Sequence, residues 1–368
     1  MARHKNLCEI CNPKQWKTIS SDMLLNSGYP VYGANGVIGY HSEYNHEDQT
    51  ILVTCRGATC GNLNICAPHS YVTGNAMALD DLSDDIDIQY LYYYLLFRGF
   101  SDVITGSAQP QIVRQSLEKI SVYYPEKNEQ RRIANVLNNI EILISLRKQQ
   151  LAKLGKLVKA RFVEMFGDML LNPQNWPEAS LGEMAAIVSG ITKGRKTHEK
   201  GLIEVPYMAV SNVKDGYIDW TTVKKIKASA SEIAQYRLYP NDVLMTEGGD
   251  PDKLGRGAII KKSLDNCIHQ NHIFRVRLDF NKLLPEFFAE YLQHQKAKRY
   301  FLRCAKQTTG IASINMKQLR ALPVVVPPIE AQYKFCDYFD QICKFKLTIQ
   351  QSLDKLDVLK KALMQEYF

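Results

Sequence analysis

Few residues of this 368-residue chain stand at spacings that would do chemistry of their own. Cys8-Glu-Ile-Cys11 has the spacing of half a zinc knuckle, and Cys55, Cys60 and Cys66 follow it. A tetrahedral zinc site needs four thiolate or imidazole ligands, and no second CxxC or histidine pair completes the set. Gly33, Gly36 and Gly39 are spaced three and three rather than as GxGxxG, so they describe a turn-rich loop and not a cofactor cradle. Pro251-Asp252 could open a nuclease-like motif, but no Glu-x-Lys or Asp-x-Lys follows at workable spacing. A GxxxxGK[ST] phosphate loop, HExxH, GxSxG and the Asn-Pro-Pro-aromatic or Asp-Pro-Pro-aromatic tetrapeptide of amino-methyltransferases are all missing. The sequence therefore assigns no catalytic residue, no metal ligand and no bound cofactor.

The elements that carry these residues are organised by two long stretches. Pro125 to Phe166 reads PEKNEQRRIANVLNNIEILISLRKQQLAKLGKLVKARFVEMF, with Gly155 its one interior helix breaker. At ~1.5 Å per residue such a helix spans more than 50 Å, too long for the core of an ordinary domain. Pro327 to Phe368 is a second stretch of the same kind, and the two align without a gap at an offset of 202: Pro125 with Pro327, Gln130 with Gln332, Phe166 with Phe368. In heptad register the first helix carries Ile133, Leu137, Ile140, Ile144, Leu151, Leu154 and Val158 along one seam. The second carries Phe335, Phe339, Ile342, Ile349, Leu353, Leu356 and Leu363. Arg147, Arg161, Lys346 and Lys360 interrupt the two seams. The simplest way to keep both faces dry is to pack them together. If an approximate two-fold relates the repeats, the helices form an antiparallel coiled coil with a globule at each end.

The repeat extends into the globules. ILVT ending at Thr54 matches VLMT ending at Thr246, and Asn75, Leu95 and the Thr105 turn match Asn271, Leu292 and the Thr309 turn, in the same order. Short β-like runs followed by one helix predict α/β (α+β) globules with irregular sheets. The expected divisions are residues 1–124, a long helix at 125–167, residues 168–326, and a second long helix at 327–368. Residues 190–240 have no visible counterpart in the first half. The acidic loop carrying Asp80, Asp81, Asp84, Asp85 and Asp87 reads as a solvated connection with helix-capping capacity.

A 45% hydrophobic composition is ample for two cores, and a net charge of +8 leans towards a polyanionic partner. No apolar run is long enough to span a membrane, and nine scattered cysteines fit free thiols in a reducing cytoplasm.

Two variable globules, each followed by a repeated long helix, resemble the specificity (S) subunit of type I restriction–modification systems. GYPVYGANGVIGYHSEY (Gly28–Tyr44), TILVTCRGATCGNLNIC (Thr50–Cys66) and TGSAQPQI (Thr105–Ile112) resemble one class of its target-recognition domains. ISVYYPEKNEQRRIANVL and LPVVVPPIEAQYKFCDYF resemble the entry into its long helices, and FGD with NPQNWP resembles the exit. The first copy has Glu126 where the second has Pro328, and the second has Ala331 where the first has Glu129. The resemblance implies a non-catalytic subunit in which each globule reads half of a bipartite double-stranded DNA target. The helices would set the gap and dock two modification (methyltransferase) subunits, which restriction (motor and nuclease) subunits join. S-adenosylmethionine, ATP and Mg²⁺ would belong to those partners. An exposed partner face would allow self-association of the chain alone.

DNA reading requires cations for phosphates and planar hydrogen-bonding side chains for base edges. Candidates in the first globule are Tyr32 and Asn35 in the YGANG loop, Arg56, Thr59 and Asn62 after the ILVT strand, and Gln109, Gln111 and Arg114 around the TGSAQP turn. Those in the second are Lys193, Arg195 and Lys196 beside Gly194, Lys253 and Arg256 in the turn matching that of Arg56, and Gln307, Asn315 and Lys317 around the TTGIASIN turn. Two other readings remain open at this level. One is an orphan DNA-binding adaptor or regulator, either an adaptor whose long helices assemble partners without reading sequence or a specificity protein that dimerises and regulates without partners. The other is a nuclease or methyltransferase with an unrecognised site.

Overall fold

The structure is a computed structural model of the chain and describes residues 3–106, 108–195, 201–250, 254–308 and 311–368. The chain folds as two compact units, Met1–Gln149 with Gln350–Phe368, and Gln150–Ile349.

The first unit begins with β1 (Arg3–Asn6), α1 (Leu7–Ile10), β2 (Asn12–Gln15), β3 (Tyr29–Gly33), β4 (Gly36–His41) and β5 (Ile51–Thr54). It continues through β6 (Leu63–Ile65), β7 (Tyr71–Val72), β8 (Ala76–Asp80), α2 (Ile88–Arg98), α3 (Arg114–Leu117), β9 (Ser121–Tyr124) and the first part of α4 (Lys127–Phe166). β1 pairs with β9, which ties the start of the globule to its end. A four-stranded sheet runs β2-β8-β5-β6, and a three-stranded sheet runs β4-β3-β7. ILVT in β5 is buried at all four positions, as expected of a central strand covered on both faces.

The second unit takes the rest of α4, then β10 (Glu178–Ser180), β11 (Ala185–Ser189), β12 (Ile203–Met208), β13 (Lys224–Ala228), α5 (Ala230–Tyr236), β14 (Val243–Thr246) and β15 (Gly248–Gly249). There follow β16 (Gly257–Ile259), β17 (Ile268–His269), β18 (Ile273–Leu278), α6 (Pro285–Gln293), α7 (Gln295–Cys304), β19 (Lys306–Thr308), β20 (Ile311–Ser313), α8 (Met316–Arg320), β21 (Pro323–Val325) and α9 (Ile329–Tyr367). Its sheets repeat those of the first unit. β10 pairs with β21, the four-stranded sheet runs β11-β18-β14-β16, and the three-stranded sheet runs β13-β12-β17.

This order corrects the expectation for residues 190–240. β12 pairs antiparallel with β13 and parallel with β17, as β3 does with β4 and β7. The segment is the counterpart of the YGANG hairpin, disguised by a long connection in place of the two-residue turn Ala34-Asn35. The matched edge strands differ in character. β13 exposes Lys224, Lys225 and Lys227, whereas β4 exposes Val37, Ile38 and Tyr40 at 51%, 50% and 38%.

Two fastenings recur in both units. Gln130 is fully buried; its amide oxygen accepts from the Asp87 N–H at 2.8 Å, and its amide nitrogen donates to the Asp85 and Pro125 carbonyls at 2.9 and 2.8 Å. Gln332, also fully buried, does the same with the Leu284 N–H at 3.0 Å and the Lys282 and Pro327 carbonyls at 3.1 and 3.0 Å. Each glutamine thus ties the first turn of its long helix to the chain entering α2 or α6. The Tyr94 hydroxyl donates to the Ser121 carbonyl at 3.0 Å, and the matching Tyr291 hydroxyl donates to the Pro323 carbonyl at 2.7 Å. The acidic loop does the capping its composition allows: the Asp87 carboxylate accepts from the Gln89 and Tyr90 N–H groups at the start of α2.

The long helices are antiparallel within each unit. In the first, Arg132 lies over the Tyr367 ring and Lys360 bonds to Glu141. In the second, Phe162 packs edge-on against Phe335, and Arg161 lies over Tyr338 while pairing with Glu164 at 2.9 Å. None of the fourteen apolar seam residues is exposed. Ile133, Leu137, Ile140, Ile144, Val158, Phe335, Ile342 and Leu353 are buried, and the other six are half-buried. Arg147, Arg161, Lys346 and Lys360 are half-buried among them. At the end of α4, Phe166 sits against Trp176, Phe287 and Phe335, and Gly167 turns the chain with a φ of 71°. Asn172 then clasps Trp176, accepting from its N–H and donating to its carbonyl. The FGD…NPQNWP string is this stop.

Replacing Gln332 with Glu keeps the acceptor but leaves the Lys282 and Pro327 carbonyls facing a carboxylate without its two donor bonds. Loss of such buried bonds should lower the stability of the second unit by about 2–4 kcal/mol, read from urea midpoints. A change under about 1 kcal/mol would show that the amide does not hold the helix start.

Candidate nucleic-acid interface

In the first unit three loops converge at the carboxyl end of β5. The Thr54 hydroxyl, fully buried, donates to the Ala34 carbonyl and fixes the Asn35 turn there. The Arg56 turn closes on itself through Thr54 N–H to the Asn62 carbonyl at 2.8 Å and Gly61 N–H to the Thr54 carbonyl at 2.8 Å. The 105–111 hairpin then joins it. Ile112 N–H donates to the Cys55 carbonyl, Gly57 N–H to the Pro110 carbonyl, and Thr105 and Gln111 exchange both main-chain bonds. Arg56 and Thr105 each pair with Gln111, giving a small three-stranded ribbon. Gly106 turns the hairpin at a φ of 85°, where an added Cβ would lie 2.5 Å from the Gln109 carbonyl oxygen.

Asn35, Arg56, Asn62, Gln109 and Gln111 are exposed on these loops and Thr59 is half-buried. Asn35 and Asn62 line one open cavity of about 290 Å³ with Asn64, Leu96, Gly99 and Phe100. Tyr32 does not join them. Its hydroxyl accepts from the Ala67 N–H at 3.1 Å and its ring packs on a small core, so it braces the hairpin. Arg114 starts α3 beside α1, where its charge partly offsets the burial that pushes the Cys8 and Cys11 thiols up, Cys11 to about 12. Cys11 is a buried thiol donating to the Leu7 carbonyl.

The second unit builds the same ribbon from β15-β20-β19, with Gly248 opposite Ser313 and Gln307 opposite Ala312. Thr246 N–H donates to the Arg256 carbonyl as Thr54 N–H does to that of Asn62, so Arg256 occupies the place of Asn62. The place of Arg56 falls to Gly248. Lys196 and Lys253 lie outside the described residues, and for Gln307 only the strand register is described. Lys193 and Lys317 are exposed. Arg195 is already engaged: it forms a bidentate pair with Glu232 on α5 and reaches the Lys227 carbonyl, and its guanidinium holds the Glu232 carboxyl below its ordinary value. Asn315 is the N-cap of α8, accepting from the Gln318 N–H at 2.9 Å. Both are bound to their own unit, as Tyr32 is.

Sequence reading passed over Glu247, which follows the matched threonine, and His272. The two pair at 2.6 Å beside the ribbon, and Glu247 N–H donates to the His272 carbonyl. The alignment of Thr54 with Thr246 contained the signal, because it sets Glu247 against Cys55.

These are two copies of one frame carrying unlike polar edges, and the chain belongs to the family of the type I restriction modification DNA specificity domain, whose model matches residues 3–156 and 173–359. Among curated relatives it is similar to a putative type I restriction enzyme MjaX specificity subunit of Methanocaldococcus jannaschii, 25% identical over 53% of this chain and 46% of that one. It is also similar to the type I restriction enzyme EcoKI specificity subunit of Escherichia coli K12, 23% identical over 70% of this chain and 58% of that one. The chain thus spans about half the length of these relatives. Its fold is that of the type I restriction–modification S subunit from M. genitalium, with a TM-score of 0.66 at 17% identity over 100% of this chain and 96% of that one. Among the described residues no helix is long and apolar enough to cross a membrane.

His269 lies within three residues of His272 yet is built for stability. It is fully buried between the Tyr236 and Val188 carbonyls, and burial pushes its pKa down to about 4. The unfolded chain, titrating near the ordinary value of 6.5, takes up a proton that the folded chain refuses. Stability of the second unit should therefore fall as pH drops from 6.5 towards 4, by about 3 kcal/mol at the bottom of that window. Urea midpoints at pH 7 and 4.5 should separate for the wild-type protein more than for His269→Gln; equal slopes would clear His269.

Proposed function

We propose that this chain is a DNA-recognition subunit without catalysis of its own. Each unit reads one half of a bipartite double-stranded target. Modification and restriction subunits supply the chemistry, and S-adenosylmethionine, ATP and Mg²⁺ belong to them. The observation that carries this reading is the loop cluster after β5 and β14, built with the same main-chain bonds in both units. A repeated frame with different side chains is what two unlike half-sites require. The half-sites are accordingly dissimilar, and the target is asymmetric.

The long helices set the gap between the half-sites. α4 is continuous over 40 residues and α9 over 39. Four residues inserted in both, after Gln149 and after Ile349, lengthen each by about 6 Å. At ~3.4 Å per base pair the preferred gap should grow by about two base pairs while both half-sites stay the same. Binding-site selection from a library randomised in half-sites and gap measures all three together. A changed half-site with an unchanged gap would refute the spacer.

The helices also dock the modification subunits. Leu143 and Leu359 are 45% and 46% exposed in the first unit, and their repeat mates Phe345 and Leu157 are 60% and 48% exposed in the second. The Glu141–Lys360 bond sets Leu143 and Leu359 within a turn of one level of the helix pair. Two like apolar patches, one per unit, suit two copies of one partner, and in the isolated chain they are available for self-association. Leu143→Glu with Leu359→Glu should leave a complex with one modification subunit instead of two, read by native mass spectrometry. Two retained copies would move the docking face elsewhere.

A further inference from the structure

The ribbon of the first unit has a geometry more specific than generic DNA contact requires, and its assignment rests on the DNA-recognition role of the chain. Main-chain bonds flank the Arg56–Gln111 pair, Ile112 to Cys55 on one side and Gly57 to Pro110 on the other. That makes it a non-hydrogen-bonded antiparallel pair, the kind whose side chains stand closest, on one face, with Cα atoms about 4.5 Å apart. Both residues are exposed. Their flanks are anchored, since Cys55 and Ile112 are 0% and 2% exposed. No acidic residue occurs in 55–62 or 105–112, so the ribbon's own segments leave the Arg56 charge unneutralised.

We infer that Arg56 and Gln111 form a two-residue reader of adjacent base pairs in the major groove, Arg56 taking a guanine and Gln111 the neighbouring adenine. The guanidinium fork matches guanine O6 and N7, and the glutamine amide matches adenine N6 and N7. Two side chains rooted about 4.5 Å apart suit base pairs stacked about 3.4 Å apart. The major groove admits a two-stranded β-ribbon, and the segments of Arg56 and Gln111 form such a pair. The second unit reads neither base from these places. It has Gly248 and Ser313 there, and a Cβ added at Gly248 would lie 3.0 Å from the Ala312 carbonyl oxygen, so the site is crowded against a larger residue.

The test is binding-site selection by the chain with its modification subunit, comparing wild type, Arg56→Ala, Arg56→Lys and Gln111→Ala. Arg56→Ala should cut the preference for guanine at one position of one half-site by about 5- to 150-fold. Gln111→Ala should relax the adjacent position, where adenine is preferred, and Arg56→Lys should not restore the full guanine preference because a point charge lacks the fork. The other half-site, unchanged in every variant, reports that the protein is folded. The inference is overturned if Arg56→Ala weakens all sequences alike and lowers the salt slope by about one, which is the signature of a phosphate contact. It is equally overturned if the two relaxed positions are not adjacent. Absence of any preference by the wild-type chain would instead remove the DNA reading on which it stands.

Discussion

Each long helix starts from a glutamine whose amide is spent entirely on main chain. One N–H and two carbonyls are satisfied by the fully buried side chain of Gln130 in one unit and of Gln332 in the other. The bonds fix the first turn of the helix in rotation as well as in position, because a planar amide meets three fixed partners in one orientation only. The seam residues face one way, Phe162 and Phe166 arrive on Phe287 and Phe335, and Phe368 arrives on Tyr90 and Tyr94. A helix of this length magnifies any error at its root, which is a physical reason to secure the root with three bonds.

Much of this was legible in the residues. The matched stretches at Pro125 and Pro327 gave the helices, their phase and their pairing, because a heptad seam is a strong periodic signal. The matched threonines, Thr54 and Thr246, located the loop cluster. The counterpart of the first hairpin stayed hidden, since β12 and β13 are separated by fifteen residues where β3 and β4 are separated by two, and strands of five or six residues carry little sequence signal alone. The candidate residues divided for a related reason. Sequence can see that Tyr32, Arg195 and Asn315 are suited to contacting bases or phosphates. It cannot see that Ala67, Glu232 and Gln318 already occupy them.

The division of labour inside each unit follows from these bonds. Sheets, glutamine and tyrosine fastenings and the threonines that end β5 and β14 are shared, and the polar side chains in the loops after those strands are not. A frame held by main-chain groups and a few buried amides tolerates exchange of its exposed tips, because the tips contribute little to stability. Asn62 against Arg256, and Arg56 against Gly248, are exchanges of this kind.

The unequal edges of the two hairpin sheets have a practical consequence. Lysines along β13 make that edge repel another strand, whereas Val37 and Ile38 on β4 offer an uncharged, β-branched border, next to Tyr40 whose main chain is already paired with Leu25. When the protein is made at high concentration, stickiness should originate in the first unit, and a single lysine on that border is the natural solubilising change.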